Sequence, residues 1–67
     1  MKDELKELLE KVSDTYYDFV EGALIEAEKD ESYAEKLIDY LKNNSDATTS
    51  EIIKFETEEI FGIKPIS

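Results

Sequence analysis

The chain has 67 residues and a formal net charge of −10, with 18 Asp and Glu against 8 basic residues and no His or Cys. This length allows a single domain over residues 1–67, which buries only about 60% of the surface that the unfolded chain exposes. The missing Cys and His exclude disulfides, thiolate or imidazole metal sites and a histidine general base.

The charge predicts which partners the protein attracts. An acidic protein repels nucleic-acid phosphates and favours basic surfaces. All eight basic residues are Lys, so the chain lacks Arg, which makes most bidentate contacts to phosphate and guanine. We therefore expect no direct nucleic-acid binding. The expected partner is a protein, either one with a basic surface or a second copy of this chain as a homodimer.

No feature of the sequence predicts export or a membrane. Residues 1–11 mix charged residues with Leu and lack the apolar run of a signal peptide. The longest unbroken apolar run is residues 23–25, far short of the roughly 20 residues of a membrane-spanning helix. The acidity is typical of the solvated surface of a bacterial cytoplasmic protein, so we expect a cytoplasmic location and no membrane partner.

The first helix is predicted over residues 3–29. Apolar residues recur there in alternating steps of four and three, which is the spacing of one helix face. Gly22 lies outside this face and is interpreted as a tolerated interior Gly, at a cost of about 1 kcal/mol against Ala. The residues of the face are Leu5, Leu9, Val12, Tyr16, Phe19 and Ala23.

The second helix is predicted over residues 33–42, after the polar segment EKDES at 28–32. Ser32 and Glu35 have the spacing of a capping box, in which each side chain accepts a hydrogen bond from a backbone N–H at the start of the helix. No Gly or Pro separates this helix from the first. One uninterrupted helix over residues 3–42 is therefore the alternative.

The third helix is predicted over residues 49–61. Thr48 and Glu51 have the spacing of another capping box, and Thr49 with Ile52 is the alternative start. Gly62 stands where a left-handed residue ends a helix. Residues 63–67 form a short extended tail that either packs on the core or docks to a partner. Together these elements predict an all-α fold, a small three-helix bundle whose spine is the long N-terminal helix of about 40 Å.

Residues 37–56 resemble the start of a bacterial helix-turn-helix domain. The resemblance rests on YLKNN at 40–44 and ATTSEI at 47–52, and it implies a tight turn and a recognition helix within about ten residues. Here the chain continues as KFETEEIFG with no turn residue before Gly62, and residues 51–61 carry four Glu against one Lys. We therefore interpret the resemblance as the result of residues that cap the start of a helix.

Acidic residues recur every seven positions along the first predicted helix, at Glu7, Asp14, Glu21 and Glu28. They form a ridge opposite the apolar face, and Tyr17 lies beside it, as suits a protein interface. In the third helix Glu56 falls inside the arc of apolar residues, where its carboxylate either reaches water or pairs with a Lys of a partner. The predicted partner-binding residues are Asp14, Tyr17, Asp18, Glu21, Glu28, Glu56 and Glu59.

No motif in the sequence predicts catalysis. Carboxylates on the solvent face of a small bundle lack the cleft that holds a hydrolytic pair, and no loop has the Gly and Glu of a calcium-binding EF-hand. We expect no cofactor, no metal and no enzymatic activity. The first hypothesis is a small acidic module for protein–protein interaction. The alternative is a nucleic-acid-mimicking inhibitor of a DNA- or RNA-processing enzyme, and the third hypothesis is a helix-turn-helix regulator.

Overall fold

The computed structural model describes residues 2–63, which form four α-helices and one π-helical turn and contain no strand. The elements are α1 (Lys2–Glu10), α2 (Tyr17–Lys29), α3 (Glu31–Asn43), α4 (Thr49–Phe55) and the π turn (Glu56–Ile60) that continues α4. They pack into one body of 36 × 25 × 23 Å in which α1, α2 and the π turn contact α3. The predicted all-α class is confirmed. No helix of residues 2–63 is both long and apolar enough to cross a membrane.

The single helix predicted over residues 3–29 is wrong, because the chain leaves the helix after Glu10 and re-enters one at Tyr17. The backbone N–H groups of Lys11 and Val12 donate to carbonyls three residues earlier, at 3.3 and 3.2 Å, which tightens and ends the last turn of α1. The next residues are Ser, Asp and Thr at 13–15, whose side chains compete with the helix for backbone hydrogen bonds. The bundle therefore has four helices in place of the predicted three.

The interruption changes which side chains of this region are buried. Leu5, Leu9 and Val12 lie in the core as the periodicity predicts. Tyr16, the next residue of the predicted face, is 53% exposed, whereas Val20 is 8% exposed and takes its place in the core. Ala23 of the predicted face stays buried at 5% exposure, so the core-facing side of α2 is turned toward Val20 but still includes Ala23.

The central element of the core is α3, and the predicted spine of about 40 Å does not exist. Leu37 is fully buried, together with Leu5 and Leu9 of α1 and Ile52 of α4. Burial of each such side chain contributes about 1.5–3 kcal/mol to folding. The other buried residues of α3 are Tyr33, Ala34, Ile38 and Leu41.

The boundary between α2 and α3 is a single extended residue, Asp30, with φ −142° and ψ 104°. Its carboxylate accepts hydrogen bonds from the backbone N–H groups of Ser32 and Tyr33, at 3.0 and 3.3 Å. The predicted capping box of Ser32 and Glu35 is therefore wrong, because Asp30 caps the helix two residues earlier. The alternative of one helix over residues 3–42 is wrong for the same reason.

The start of α4 is confirmed. Thr48 accepts a hydrogen bond from the backbone N–H of Glu51, and the Glu51 carboxylate accepts one from the backbone N–H of Thr48 at 3.0 Å. At the other end Gly62 has φ 73°, the left-handed conformation predicted for it. Ile63 is 62% exposed, and residues 64–67 of the predicted tail lie outside the described residues.

Candidate protein-binding surface

Asp14 is bonded inside the protein, to the first residue of α4. Its carboxylate accepts hydrogen bonds from the backbone N–H of Thr49 at 2.8 Å and from the Thr49 hydroxyl at 2.9 Å. The backbone hydrogen bond, followed by that from the hydroxyl, lowers the pKa of Asp14. Because a carboxylate at a helix N-terminus also faces the positive end of the helix dipole, Asp14 serves to join the turn at residues 11–16 to α4.

Glu28 is also paired within the chain. Its carboxylate forms an ion pair with the Lys2 ammonium, which lowers the pKa of Glu28 through a hydrogen bond and the positive charge. This pair joins the start of α1 to the end of α2. Both side chains are more than half exposed, and exposed pairs of this kind add little stability.

Glu56 lies at the beginning of the π turn and is partly buried. Its carboxylate accepts a hydrogen bond of 2.5 Å from the hydroxyl of Tyr33, a core residue that is 3% exposed. Burial raises the pKa of Glu56, although the Tyr33 hydrogen bond acts in the opposite direction. Glu56 therefore lies at the margin of the core, and its hydrogen bond from Tyr33 was not predicted, whereas pairing with a Lys of a partner stays a prediction.

Tyr17, Asp18 and Glu21 lie together on the exposed side of α2, and we call these three residues the α2 face. Tyr17 is 76% exposed. A hydrogen bond to the Glu21 carboxylate, and the negative charge of that group, raise the pKa of Tyr17. Glu21 follows Tyr17 by four positions, so both project from the same side of the helix.

The α2 face borders an open groove of about 510 Å³ between α1 and α2, which we call the α1–α2 groove. Lys6 and Glu10 line it from α1, and Tyr17 and Glu21 line it from α2. The groove combines apolar and charged lining, because Val20 and Leu24 also border it. Its volume lies within the roughly 300–1,000 Å³ that is usual for binding pockets.

A buried hydroxyl lies beside the α1–α2 groove. The Oγ1 atom of Thr15 is shielded from solvent and has no hydrogen-bond partner within residues 2–63, although Thr15 is one of the residues that line the groove. An unpaired buried hydroxyl costs about 1–3 kcal/mol. The turn at residues 11–16 is thus held by Asp14, and it contains an unpaired buried hydroxyl at Thr15.

Glu59 is not brought together with the α2 face. It lines a separate cleft with Tyr40 of α3 and Lys54 of α4. The wall of that cleft is the ring of Tyr40 stacked on Phe55, with centroids 4.1 Å apart and planes at 18°. The structure therefore groups Tyr17, Asp18 and Glu21 on α2 and places Glu56 beside Asp18 in a second pocket. Asp14 and Glu28 are paired within the chain, and Glu59 lines the separate cleft.

Sequence reasoning missed Lys6 and Glu10, which face α2 only because the chain turns back at residues 11–16. It also missed Phe61, which is 52% exposed and whose ring stacks on Tyr33 at 6.0 Å. The Ser-Asp-Thr run at 13–15 was the available signal for the turn, since these residue types favour turns over helix interiors. Within residues 2–63 no group of three or more Asp or Glu side chains is arranged to hold a metal ion.

Comparison with known proteins gives no family assignment. No protein-family model matches the chain, and neither the curated proteins nor the solved structures include a significant match to it.

Proposed function

We propose that the protein is a non-enzymatic interaction module whose α1–α2 groove binds a basic segment of a partner protein. The observation that carries this proposal is the position of Tyr17, which is 76% exposed at the edge of the groove. An aromatic ring in this position adds apolar contact area and one hydroxyl at a small cost in side-chain entropy.

The charge around the groove supports a basic partner. Glu10 and Glu21 line the groove together with one basic residue, Lys6, and Asp18 adds a third carboxylate beside Tyr17 on α2. A Lys or Arg side chain that lies over the Tyr17 ring gains a cation–π contact and reaches these carboxylates at the same time. The net charge of −10 also draws basic proteins toward the surface over longer distances.

A second copy of the chain fits this surface less well than a basic partner. Two copies that meet through the α2 face would bring Asp18 and Glu21 against the same carboxylates of the other copy, and like charges across an interface are unfavourable. We expect a monomer by light scattering at both low and high salt. A dimer that persists at high salt would contradict a basic partner and favour association through apolar surface.

The proposal is tested by titrating the ¹⁵N-labelled protein with a peptide of alternating Lys and Gly, and with the matching Glu and Gly peptide as control. We expect the Lys peptide to shift the amide resonances of residues 17–21 and of Lys6 and Glu10. Equal small shifts over the whole acidic surface, including Glu35 on the exposed side of α3, would contradict a defined site. The nucleic-acid-mimic hypothesis instead requires binding to a nucleic-acid enzyme that added DNA or RNA displaces.

A further inference from the structure

We infer that a second pocket, between α2 and the π turn, receives one Lys or Arg side chain of the same basic partner, an inference that rests on the proposed function. This Glu56 pocket has a volume of about 290 Å³. Its carboxylates come from three different positions on two elements, and its other lining is largely aromatic. The residues that line it include Asp18, Phe19, Gly22, Glu26, Glu56 and Phe61.

The π turn creates this pocket. The backbone N–H of Phe61 donates to the carbonyl of Glu56 at 2.9 Å, a bond that spans five residues. In an α-helix, residues five apart point about 140° away from each other, whereas this wider turn brings both side chains to Tyr33. The Glu56 carboxylate accepts the Tyr33 hydrogen bond at 2.5 Å, and the Phe61 ring stacks on the Tyr33 ring with centroids 6.0 Å apart.

Gly22 leaves the pocket open on the α2 side. It lies in the exposed middle of α2, where a Gly weakens a helix relative to Ala. Its conformation does not need a Gly, since Gly62 is the only Gly with positive φ in residues 2–63. Packing does not need one either, because a Cβ atom at Gly22 would have no neighbour within 4 Å. A side chain there would instead project into the space at the mouth of the pocket.

The lining identifies the occupant as a basic side chain. Asp18, Glu26 and Glu56 supply negative charge, and no Lys lines the pocket. These carboxylates are not arranged to hold a metal ion together. They suit an extended cation, whose ammonium or guanidinium group meets the acids while its aliphatic stem lies along the rings of Phe19 and Phe61.

The size of the pocket agrees with one side chain. Its volume of about 290 Å³ lies just below the roughly 300 Å³ at which small-molecule sites begin. Asp18 belongs both to the α2 face and to the lining of the Glu56 pocket. A single basic segment that crosses α2 near Asp18 therefore reaches the α1–α2 groove and the Glu56 pocket together.

The test measures the affinity of the alternating Lys and Gly peptide for three variants by fluorescence anisotropy. Gly22→Ala adds a methyl group at the edge of the pocket, and Glu56→Gln removes its charge while keeping an oxygen that accepts from Tyr33. Glu35→Gln is the matched control, because it removes the same charge from the exposed side of α3. We expect Glu56→Gln to weaken binding about fivefold relative to the control variant, and Gly22→Ala to weaken it by a smaller factor.

The outcomes separate this inference from the proposed function. If Gly22→Ala and Glu56→Gln bind like Glu35→Gln while the peptide still shifts residues 17–21, the Glu56 pocket is not used and the groove remains the site. If the peptide does not bind the unaltered protein, both proposals are wrong. If Mg²⁺ alone shifts the Gly22 and Phe61 resonances as the peptide does, the occupant is an ion and the inferred side chain is wrong. Loss of fold is not an explanation for Gly22→Ala, because this change favours the helix.

Discussion

The carboxylate of Asp14 accepts two hydrogen bonds from Thr49, one from its backbone N–H at 2.8 Å and one from its hydroxyl at 2.9 Å. These two residues are separated by 35 positions in the chain. The contact holds the turn between α1 and α2 against the N-terminus of α4, and it therefore maintains the geometry of the α1–α2 groove.

Replacement of Asp14 by Asn should destabilise the fold. The folded protein holds the pKa of Asp14 below its ordinary value of 3.8, so the ionised form is stabilised by folding. The resulting stability is present above the unfolded pKa and is lost as the pH falls through it toward the folded pKa. We expect the melting temperature of Asp14→Asn to be several degrees lower at neutral pH, and the difference from the unaltered protein to shrink below about pH 3.

The control for this prediction is Asp39→Asn, which removes one charge from an exposed position of α3. Thermal unfolding followed by circular dichroism at several pH values measures both variants. An equal effect of the two substitutions would show that Asp14 contributes only net charge. A difference that does not depend on pH would show that the ionised carboxylate of Asp14 is not the source of the stability.

Leu37→Ala should remove most of the stability of the protein. Leu37 is fully buried at the centre of α3, and truncation of such a Leu costs about 2–5 kcal/mol. A domain of this length has a total stability of roughly 3–10 kcal/mol. Urea unfolding measures the loss, and Ile25→Ala, at a position 47% exposed on α2, should change the free energy of unfolding by less than about 0.5 kcal/mol.

The two Gly residues should respond in opposite directions to replacement by Ala. Gly22→Ala should stabilise the protein by about 0.5–1 kcal/mol, since the new methyl group meets open space in a helix. Gly62 has φ 73°, so Gly62→Ala should destabilise it by about 1 kcal/mol. Urea unfolding of both variants tests this prediction, which is wrong if Gly22→Ala is the less stable of the two.

Tyr33→Phe should destabilise the fold by about 1 kcal/mol, because it removes the hydroxyl that donates to the partly buried Glu56. Tyr16→Phe is the control, as Tyr16 is 53% exposed and its hydroxyl reaches solvent. Chemical denaturation measures the free energy of unfolding for both. A Tyr33→Phe variant as stable as Tyr16→Phe would show that the hydrogen bond contributes nothing to folding.

Glu56→Gln should have an effect on stability that depends on pH in the opposite sense to Asp14→Asn. Burial raises the pKa of Glu56 above its ordinary value of 4.5, so the folded state favours the protonated form. The stability from this group is present below the unfolded pKa and is lost as the pH rises through the folded pKa. We therefore compare the free energy of unfolding of Glu56→Gln with that of the unaltered protein at each pH. The difference should favour the variant more at about pH 7 than at about pH 3.5. The reverse order would contradict this.

Local chemistry in the sequence was sufficient for the all-helical class and for both ends of the last helical segment. The Thr48 and Glu51 side chains form their capping box, and Gly62 adopts its left-handed conformation, because each of these features involves only a few neighbouring residues. The burial of Leu5 and Leu9 also followed from spacing alone. Such features depend little on the rest of the fold.

The break between α1 and α2 was not predicted, because apolar residues continue at helical spacing through it. Its stabilising contact is the bond between Asp14 and Thr49, which no local pattern reveals. The hydrogen bond between Tyr33 and Glu56 was missed for a related reason. A helical wheel assumes 3.6 residues per turn, whereas the π turn changes the direction of every side chain from Glu56 to Phe61.

The grouping of Tyr17, Asp18 and Glu21 on one side of α2 could be predicted, since they lie within one helix and close in sequence. The groove beside them could not, because Lys6 and Glu10 reach it only after the chain has folded back. Sequence patterns therefore identified half of this candidate site, and the tertiary fold supplies the other half.

The most direct test of the central claim compares the dissociation constants of the alternating Lys and Gly peptide for Glu21→Gln and Glu35→Gln. Both variants lose one carboxylate from an exposed helix position, so long-range attraction changes equally, and only Glu21 borders the α1–α2 groove. We expect Glu21→Gln to bind several-fold more weakly than Glu35→Gln. Equal dissociation constants would contradict the claim that this groove binds a basic partner.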